Sequence, residues 1–347
     1  ACGVRPAVVA HRVRTMSRTL RRSPLPGVAV LLLAAVCGLA AATFATPAAA
    51  STVPSPSPAP AAVAGGDTGL SIADAVILGI VEGLTEYLPV SSTGHLLLAT
   101  EALGLTDTEA EKAAVDAYVI VIQFGAIVAV VVLYRRRVWG MLRGIAGRDP
   151  AGRRLAVALI ASVVPAVIIG VLGERLLKDH LFHLWPITVA WLAGGLVILV
   201  VARHDVRAGH DSNAGDRLED LTVRRAVVVG LLQCVAMWPG VSRSLVTILG
   251  GRLVGLSTQA AVEYSFLLGL VTLTGASLYE TVKEGGAIVA TLGSAAPAVG
   301  MVAAFVAAAL SIKWMVGYLG RHTLAVFGWY RIGLAAVVVA LLVTRVV

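Results

Sequence analysis

Charge is scarce in this chain. Asp, Glu, Lys and Arg make up only 14% of its 347 residues, against 58% that are hydrophobic. A soluble globular chain carries about a quarter charged residues. That shortage, with a mean hydropathy of +0.86, excludes an ordinary soluble protein and points to a polytopic membrane protein. Cysteine is scarcer still, with Cys2, Cys37 and Cys234 the only three. Two of them lie in or near apolar runs, which excludes a disulfide framework and a metal knuckle alike. Carboxylates are outnumbered, 20 against 28 basic residues, leaving a net charge of +8. The excess does not mark a nucleic-acid partner, because the arginines cluster between apolar segments, where cytoplasmic loops belong. What abounds is Ala, Gly and Val, whose small volume suits close packing of transmembrane helices.

The first 69 residues differ in kind from the rest. After Met16 come Arg18, Arg21 and Arg22, an apolar run from about residue 27 to 44, and then Ala48-Ala49-Ala50. This three-part pattern is that of a secretory signal peptide, with an uncleaved anchor helix as the alternative. Cys37 follows Val36 rather than a small residue, which makes it a poor lipoprotein acceptor. Residues 1–15 precede the first Met and are expected to lie upstream of the true start. Residues 51–69 carry Pro54, Pro56, Pro58 and Pro60 and read as a Pro/Ala-rich linker. The organisation expected is therefore 1–50 leader, 51–69 linker and 70–347 membrane-embedded domain.

That domain contains eight apolar segments, at about 72–99, 116–134, 155–173, 186–202, 226–249, 260–280, 287–312 and 324–346. Most approach the ~20 residues that cross a bilayer. The first and fifth are interrupted, by Pro89 and by Pro239-Gly240, and are polar beyond the break. A helix broken that way cannot satisfy its backbone against lipid, so each is expected to re-enter as a helix–loop–helix buried in protein. Loop charge agrees. Residues 135–154 hold seven arginines against Asp149 and read as cytoplasmic, whereas 100–115 is acidic and reads as exterior. The alternation holds through the 313–323 loop, with Lys313 and Arg321 inside, provided that both broken segments re-enter.

An internal repeat underlies this. A shift of 151 residues places Gly79 on Gly230, Glu82 on Gln233, Val90 on Val241 and Ser91 on Ser242, so that Ser92 meets Arg243. The repeats run over about 72–202 and 226–346. Three full spans separate the two broken units, and an odd number inverts the second copy. The expected fold is thus an all-α membrane protein, an inverted-topology repeat with two re-entrant segments and about six full spans.

Two polar clusters sit on the breaks. Glu82 and Glu86 are four apart and share a helix face. Such a pair can bind a divalent cation, or one member can stay protonated beside the other. Ser91, Ser92 and Thr93 follow; Ser92 is a candidate nucleophile, with His95 near enough to act as general base or acid. In the second cluster Pro239-Gly240 breaks the helix and Ser242-Arg243-Ser244 restarts it, with Thr247 one turn on. Free amides at a helix start, hydroxyls and the guanidinium fork of Arg243 suit a phosphate. Singly, each Ser or Glu reads as a cap or a snorkelling side chain, and Arg243 as half of a buried ion pair with Glu82 or Glu86. Expense in hydrocarbon argues for function when so many gather. Glu263 could order the site or sit at the interface. Gln123 reads as a helix–helix hydrogen bond and Arg331 as a snorkelling arginine, and the loop histidines carry no role.

These residues resemble the undecaprenyl-diphosphatase family of the bacitracin-resistance type. That family is marked by an E-x-x-x-E helix followed by a serine-rich turn and His, and by P-G-x-S-R-S-x-x-T. A Glu-x-Ser-Phe-Leu-Leu run also matches, at Glu263 to Leu268, although Val271 stands near where a proline is expected. The resemblance covers about 70–347. It implies hydrolysis of undecaprenyl diphosphate, recycling of the carrier lipid for cell-wall synthesis, bacitracin resistance, dependence on Mg²⁺ or Ca²⁺, and an exterior-facing site in the plasma membrane. The mechanism expected has Ser242, Arg243, Ser244 and Thr247 holding the diphosphate, with Ser91, Thr93 and Gly240 beside them. Glu82 and Glu86 place the metal, Ser92 attacks or orients water, and His95 relays the proton. Partners are the polyprenyl diphosphate and the bilayer, and the sequence leaves a homodimer open. A lipid flippase is the main rival, since broken inverted repeats are a transporter architecture. A lipid phosphatase of the acid-phosphatase-like class is weaker, because Ser-Thr-Gly-His echoes only one of its elements.

Overall fold

The computed structural model describes residues 70–105, 108–209, 211–283 and 295–344. The expected leader and linker lie outside them. Eleven α-helices follow in order: α1 (Ile72–Thr85), α2 (Ser92–Ala102), α3 (Glu109–Leu133), α4 (Arg135–Ile145), α5 (Pro150–Leu181), α6 (Leu184–Arg207), α7 (Val223–Gln233), α8 (Arg243–Leu253), α9 (Thr258–Lys283), α10 (Ala296–Leu319) and α11 (Ala325–Val343). Among the described residues the only β pairing is an isolated bridge between Asp216 and Leu256.

Helix starts are set by local chemistry. Ser71 and Asp74 form a capping box at α1, as Thr108 and Glu111 do at α3. At α5 the Asp149 carboxylate accepts from the amides of Ala151 and Gly152, and Pro150 occupies the first position, where no amide is missed. Among the described residues six helices (α3, α5, α6, α9, α10 and α11) are long and apolar enough to cross a membrane. The protein is a multi-pass membrane protein.

The other long apolar segments are broken. Helix α1 has 14 residues, and α2, α7 and α8 have 11 each. At 1.5 Å per residue these span about 16–21 Å, short of the ~30 Å hydrocarbon thickness. Helices α2 and α8 have the same length, and each boundary of one lies 151 residues from that of the other. Both are preceded by a serine with positive φ, Ser91 at 76° and Ser242 at 79°, the only non-glycine residues so placed among those described. The repeat shift therefore superposes helix ends and backbone irregularities, not only residue types.

Helix α10 packs along α1 and α3, α11 along α6, α5 along α7, and α8 along α9. Glycines make the first contact possible. A Cβ on Gly83 would strike the Ala304 carbonyl, and one on Gly125 the Met301 carbonyl.

Two boundaries differ from the sequence reading. The segment placed at 287–312 is a helix over Ala296–Leu319, so Lys313 lies within α10 rather than in a loop. Its buried stripe, Ala304, Ala308, Ser311, Met315 and Leu319, continues at helical spacing and leaves Lys313 on the exposed side. The arginine-rich 135–154 stretch is likewise mostly helical, since α4 occupies its first half.

Candidate active site

Both breaks converge on one polar cluster. Glu86 caps the C-terminus of α1 and Ser92 opens α2, so the turn between them folds the serine back onto the carboxylate. Ser92 Oγ donates to Glu86 Oε2. Glu86 Oε1 accepts from the Arg243 guanidinium of α8 at 3.0 Å, with the two side chains only 7% and 11% exposed. Each repeat therefore contributes to one Ser92–Glu86–Arg243 chain. The ion pair that the sequence offered as a structural alternative exists, and it is built into the candidate machinery.

Arg243 is held from three sides. Its Nη1 donates to the Ser265 carbonyl at 3.1 Å, its Cζ lies 5.8 Å from the centre of the Tyr87 ring, and a Cβ at Gly269 would collide with it. Its Nε is buried with no hydrogen-bond partner among the described residues. Glu82, one turn before Glu86, is 1% exposed and has Oε1 unpartnered in the same sense. A buried donor and a buried acceptor left open cost free energy unless something fills them. A phosphate oxygen is able to satisfy the first and a cation the second.

Glu82 and Glu86 are the residues that could hold a divalent cation. The described residues contain no group of three or more His, Cys, Asp and Glu suited to a metal. The donor set fits Mg²⁺ nonetheless, which is commonly bound by one or two carboxylates and completed by substrate phosphates and water.

The remaining predicted residues divide. Ser242 Oγ accepts from the Leu245 amide at 3.3 Å and lies 2.9 Å from Ser244 Oγ, which donates to the Leu88 carbonyl at 2.8 Å. Thr247 donates to the Arg243 carbonyl at 2.8 Å and meets Ser265 Oγ at 2.7 Å. These three hydroxyls tie the second break to the first and to α9. Gly240, at φ 92°, brings its backbone against α6, where a Cβ would stand 2.7 Å from the Ile187 carbonyl. Ser91 is buried, and its carbonyl accepts from His95 Nδ1 at 2.6 Å. Thr93 is exposed and its hydroxyl makes no hydrogen bond among the described residues.

His95 stands apart from Ser92. With Nδ1 donating to a carbonyl, Nε2 keeps the lone pair of the neutral ring and accepts from Tyr330 Oη at 2.7 Å. The Tyr330 ring stacks on the imidazole at 5.7 Å, and Trp191 meets it edge-on at 5.5 Å. No hydrogen bond joins His95 to Ser92 among the described residues. The carboxylate in contact with Ser92 is Glu86.

Sequence reasoning missed the residue that locks the two breaks together. Arg331 of α11 does not snorkel: it is 0% exposed. Its guanidinium donates to the carbonyls of Pro89 (3.1 Å), Gly240 (2.8 Å), Val241 (3.1 Å), Ala190 (2.8 Å) and Trp191 (3.3 Å). A Cβ on Gly194 would occupy the guanidinium's place. The available signal was an arginine inside an apolar span, which by itself marks a functional candidate. Ser265 lay in the Glu263–Leu268 run, whereas Tyr330 carried no signal.

Residues 75–337 match the family model described as bacitracin resistance protein BacA. The chain is 46% identical over 266 residues to the undecaprenyl-diphosphatase of Sorangium cellulosum, covering 76% of this chain and 84% of that protein. It is 41% identical over 268 residues to undecaprenyl-diphosphatase 2 of Rhodospirillum rubrum, covering 77% and 93%. It is 42% identical over 271 residues to the undecaprenyl-diphosphatase of Cereibacter sphaeroides, covering 77% and 96%.

Proposed function

Because this chain belongs to the bacitracin resistance protein BacA family, we propose that it hydrolyses undecaprenyl diphosphate to undecaprenyl phosphate and inorganic phosphate. The reaction recycles the carrier lipid for peptidoglycan synthesis and confers bacitracin resistance. The observation that carries the reading is the Ser92–Glu86–Arg243 chain, assembled from two helix breaks in a membrane protein.

Chemistry at this site follows from its contacts. Arg243 presents its open Nε to a phosphate oxygen, and the amides at the start of α8 lie beside it. Ser92 Oγ attacks the terminal phosphorus in line while its proton passes to Glu86. A new O–P bond forms, the bridging P–O bond breaks, and the lipid monophosphate leaves with that electron pair. Water then releases phosphate from Ser92 and regenerates the hydroxyl. His95, whose lone pair faces Tyr330, is left to carry the proton that this water gives up. Attack by a water that Ser92 and Glu86 orient uses the same contacts. Glu82 and Glu86 would hold the Mg²⁺ or Ca²⁺, which would neutralise phosphate charge. Ser91, Ser242, Ser244, Gly240 and Thr247 shape the cradle, and Thr93 is free to meet the substrate.

The site is read as facing the exterior of the plasma membrane, with the 135–154 arginines inside. Association of two copies as a homodimer is compatible with the fold and is not required by the site.

Release of inorganic phosphate from undecaprenyl diphosphate by the purified protein in detergent tests the function. Release with Mg²⁺ that EDTA abolishes is expected. Binding of the lipid without release by folded protein would move the flippase reading to first place.

A further inference from the structure

Away from the active site, the arginine-rich end of the molecule contains a cleft of about 120 Å³ between α4, the start of α5 and the single-turn helix Leu218–Asp220. Its floor is apolar, made by Leu155, Ala158 and Leu218. Its mouth carries Arg136 and Arg154, both exposed and neither hydrogen-bonded nor ion-paired among the described residues. The two acids that line the cleft are already committed. Asp149 Oδ1 accepts from the amides of Ala151 and Gly152 at 3.0 and 2.9 Å. Glu219 pairs with Arg137 at 2.7 Å and with Arg217 at 3.5 Å, and the Arg137 hydrogen bond holds its carboxyl below the usual carboxylate range. The cleft therefore has two uncommitted guanidinium groups against a single carboxylate, Asp149, that no cation pairs with among the described residues.

Helix α4 shows where this cleft lies relative to the bilayer. Met141 and Gly144 are buried against the start of α5. Trp139, Leu142 and Ile145 are 52–68% exposed on a second face, and Arg136 and Arg143 occupy a third. A helix divided among protein, hydrocarbon and water in this way lies in the membrane interface, with its arginines at headgroup level. An apolar floor under a paired basic mouth at that depth matches one kind of molecule, an amphiphile with an anionic head.

We propose that the Arg136/Arg154 cleft is a binding site for the phosphate headgroup of an anionic phospholipid, with an acyl chain against Leu155, Ala158 and Leu218. Basic pockets at the cytoplasmic end of transmembrane helices bind such heads, at roughly fivefold in affinity per well-placed arginine. The site is independent of the hydrolytic one.

Native mass spectrometry of the full chain, released from nanodiscs of equal parts phosphatidylglycerol and phosphatidylcholine, tests it. The wild type should retain phosphatidylglycerol preferentially. Arg136→Gln with Arg154→Gln should cut that preference by roughly tenfold or more, two arginines' worth. Arg143→Gln with Arg148→Gln removes the same charge from exposed positions outside the cleft and should leave the preference nearly intact. Equal loss in both double variants would mean diffuse surface attraction and would overturn the site. Displacement of the lipid by millimolar inorganic phosphate would also overturn it, in favour of free phosphate as the occupant.

Discussion

Arg331 shows how much one side chain can decide. Five carbonyls, drawn from both breaks and from α6, converge on one guanidinium. Lysine carries the same charge but has only three donors on a point-like head, so it cannot reproduce that fan. Arg331→Lys should therefore displace the breaks and lower kcat by about 100-fold, as ångström-scale misplacement of reacting groups does. KM should change much less, since Arg331 does not face the substrate. Gly194→Ala, which crowds the same guanidinium, should give the same pattern. Steady-state kinetics on both variants checks this, and an unchanged kcat would remove Arg331 from the positioning role. This role was invisible in the sequence, because the carbonyls that Arg331 binds are backbone atoms of three separate segments. Glu82, Glu86, Ser92 and Arg243 were legible because charge and hydroxyl are conspicuous in apolar surroundings. The pairing of Ser92 with Glu86 rather than His95 was not, since a three-residue spacing says nothing about how a left-handed residue turns the chain.

At the scale of the element, each break is a helix end, a left-handed serine and a new helix. The positive φ at Ser91 costs an L-residue about 1–3 kcal/mol, and its side chain makes no cap hydrogen bond. Ser91→Gly should therefore keep at least a third of the activity and raise thermal stability slightly, whereas Ser91→Val should lose most of both. Ser242 differs, because its hydroxyl caps α8 and meets Ser244, so in Ser242→Gly the lost hydrogen bonds offset the relieved backbone and the gain expected at Ser91 should be absent. Melting curves in detergent separate the two serines; identical behaviour would contradict the distinction. Prolines and glycines made both breaks readable in advance. The boundaries of α10 were not, because in Ala/Val-rich sequence a hydropathy window slides freely, and only the buried stripe through Met315 and Leu319 fixes the register.

For the whole molecule the claim is topological: six helices cross, and the α1/α2 and α7/α8 pairs enter and return. Single cysteines in a cysteine-free background test it in intact cells with a membrane-impermeant thiol reagent. Ala295→Cys, ahead of α10, should label from outside, and Arg148→Cys and Arg321→Cys should not. Arg224→Cys and Gln259→Cys flank the α7/α8 pair and should both be protected, on the same side. Labelling of only one of them would mean that the pair crosses. The six long apolar helices were legible in the sequence, because length and hydropathy need no knowledge of side-chain contacts, whereas the direction of each crossing rests on loop charge and is what the labelling tests.

The central claim, that Ser92 and Glu86 act as one unit beneath Arg243, is tested most directly by a double-mutant cycle on phosphate release. Ser92→Ala and Glu86→Gln should each lower kcat/KM by about 10³-fold or more, and the double variant should be no worse than the poorer single, as for residues that share one step. Losses that multiply, or Ser92→Ala retaining more than about a tenth of wild-type activity, would contradict it.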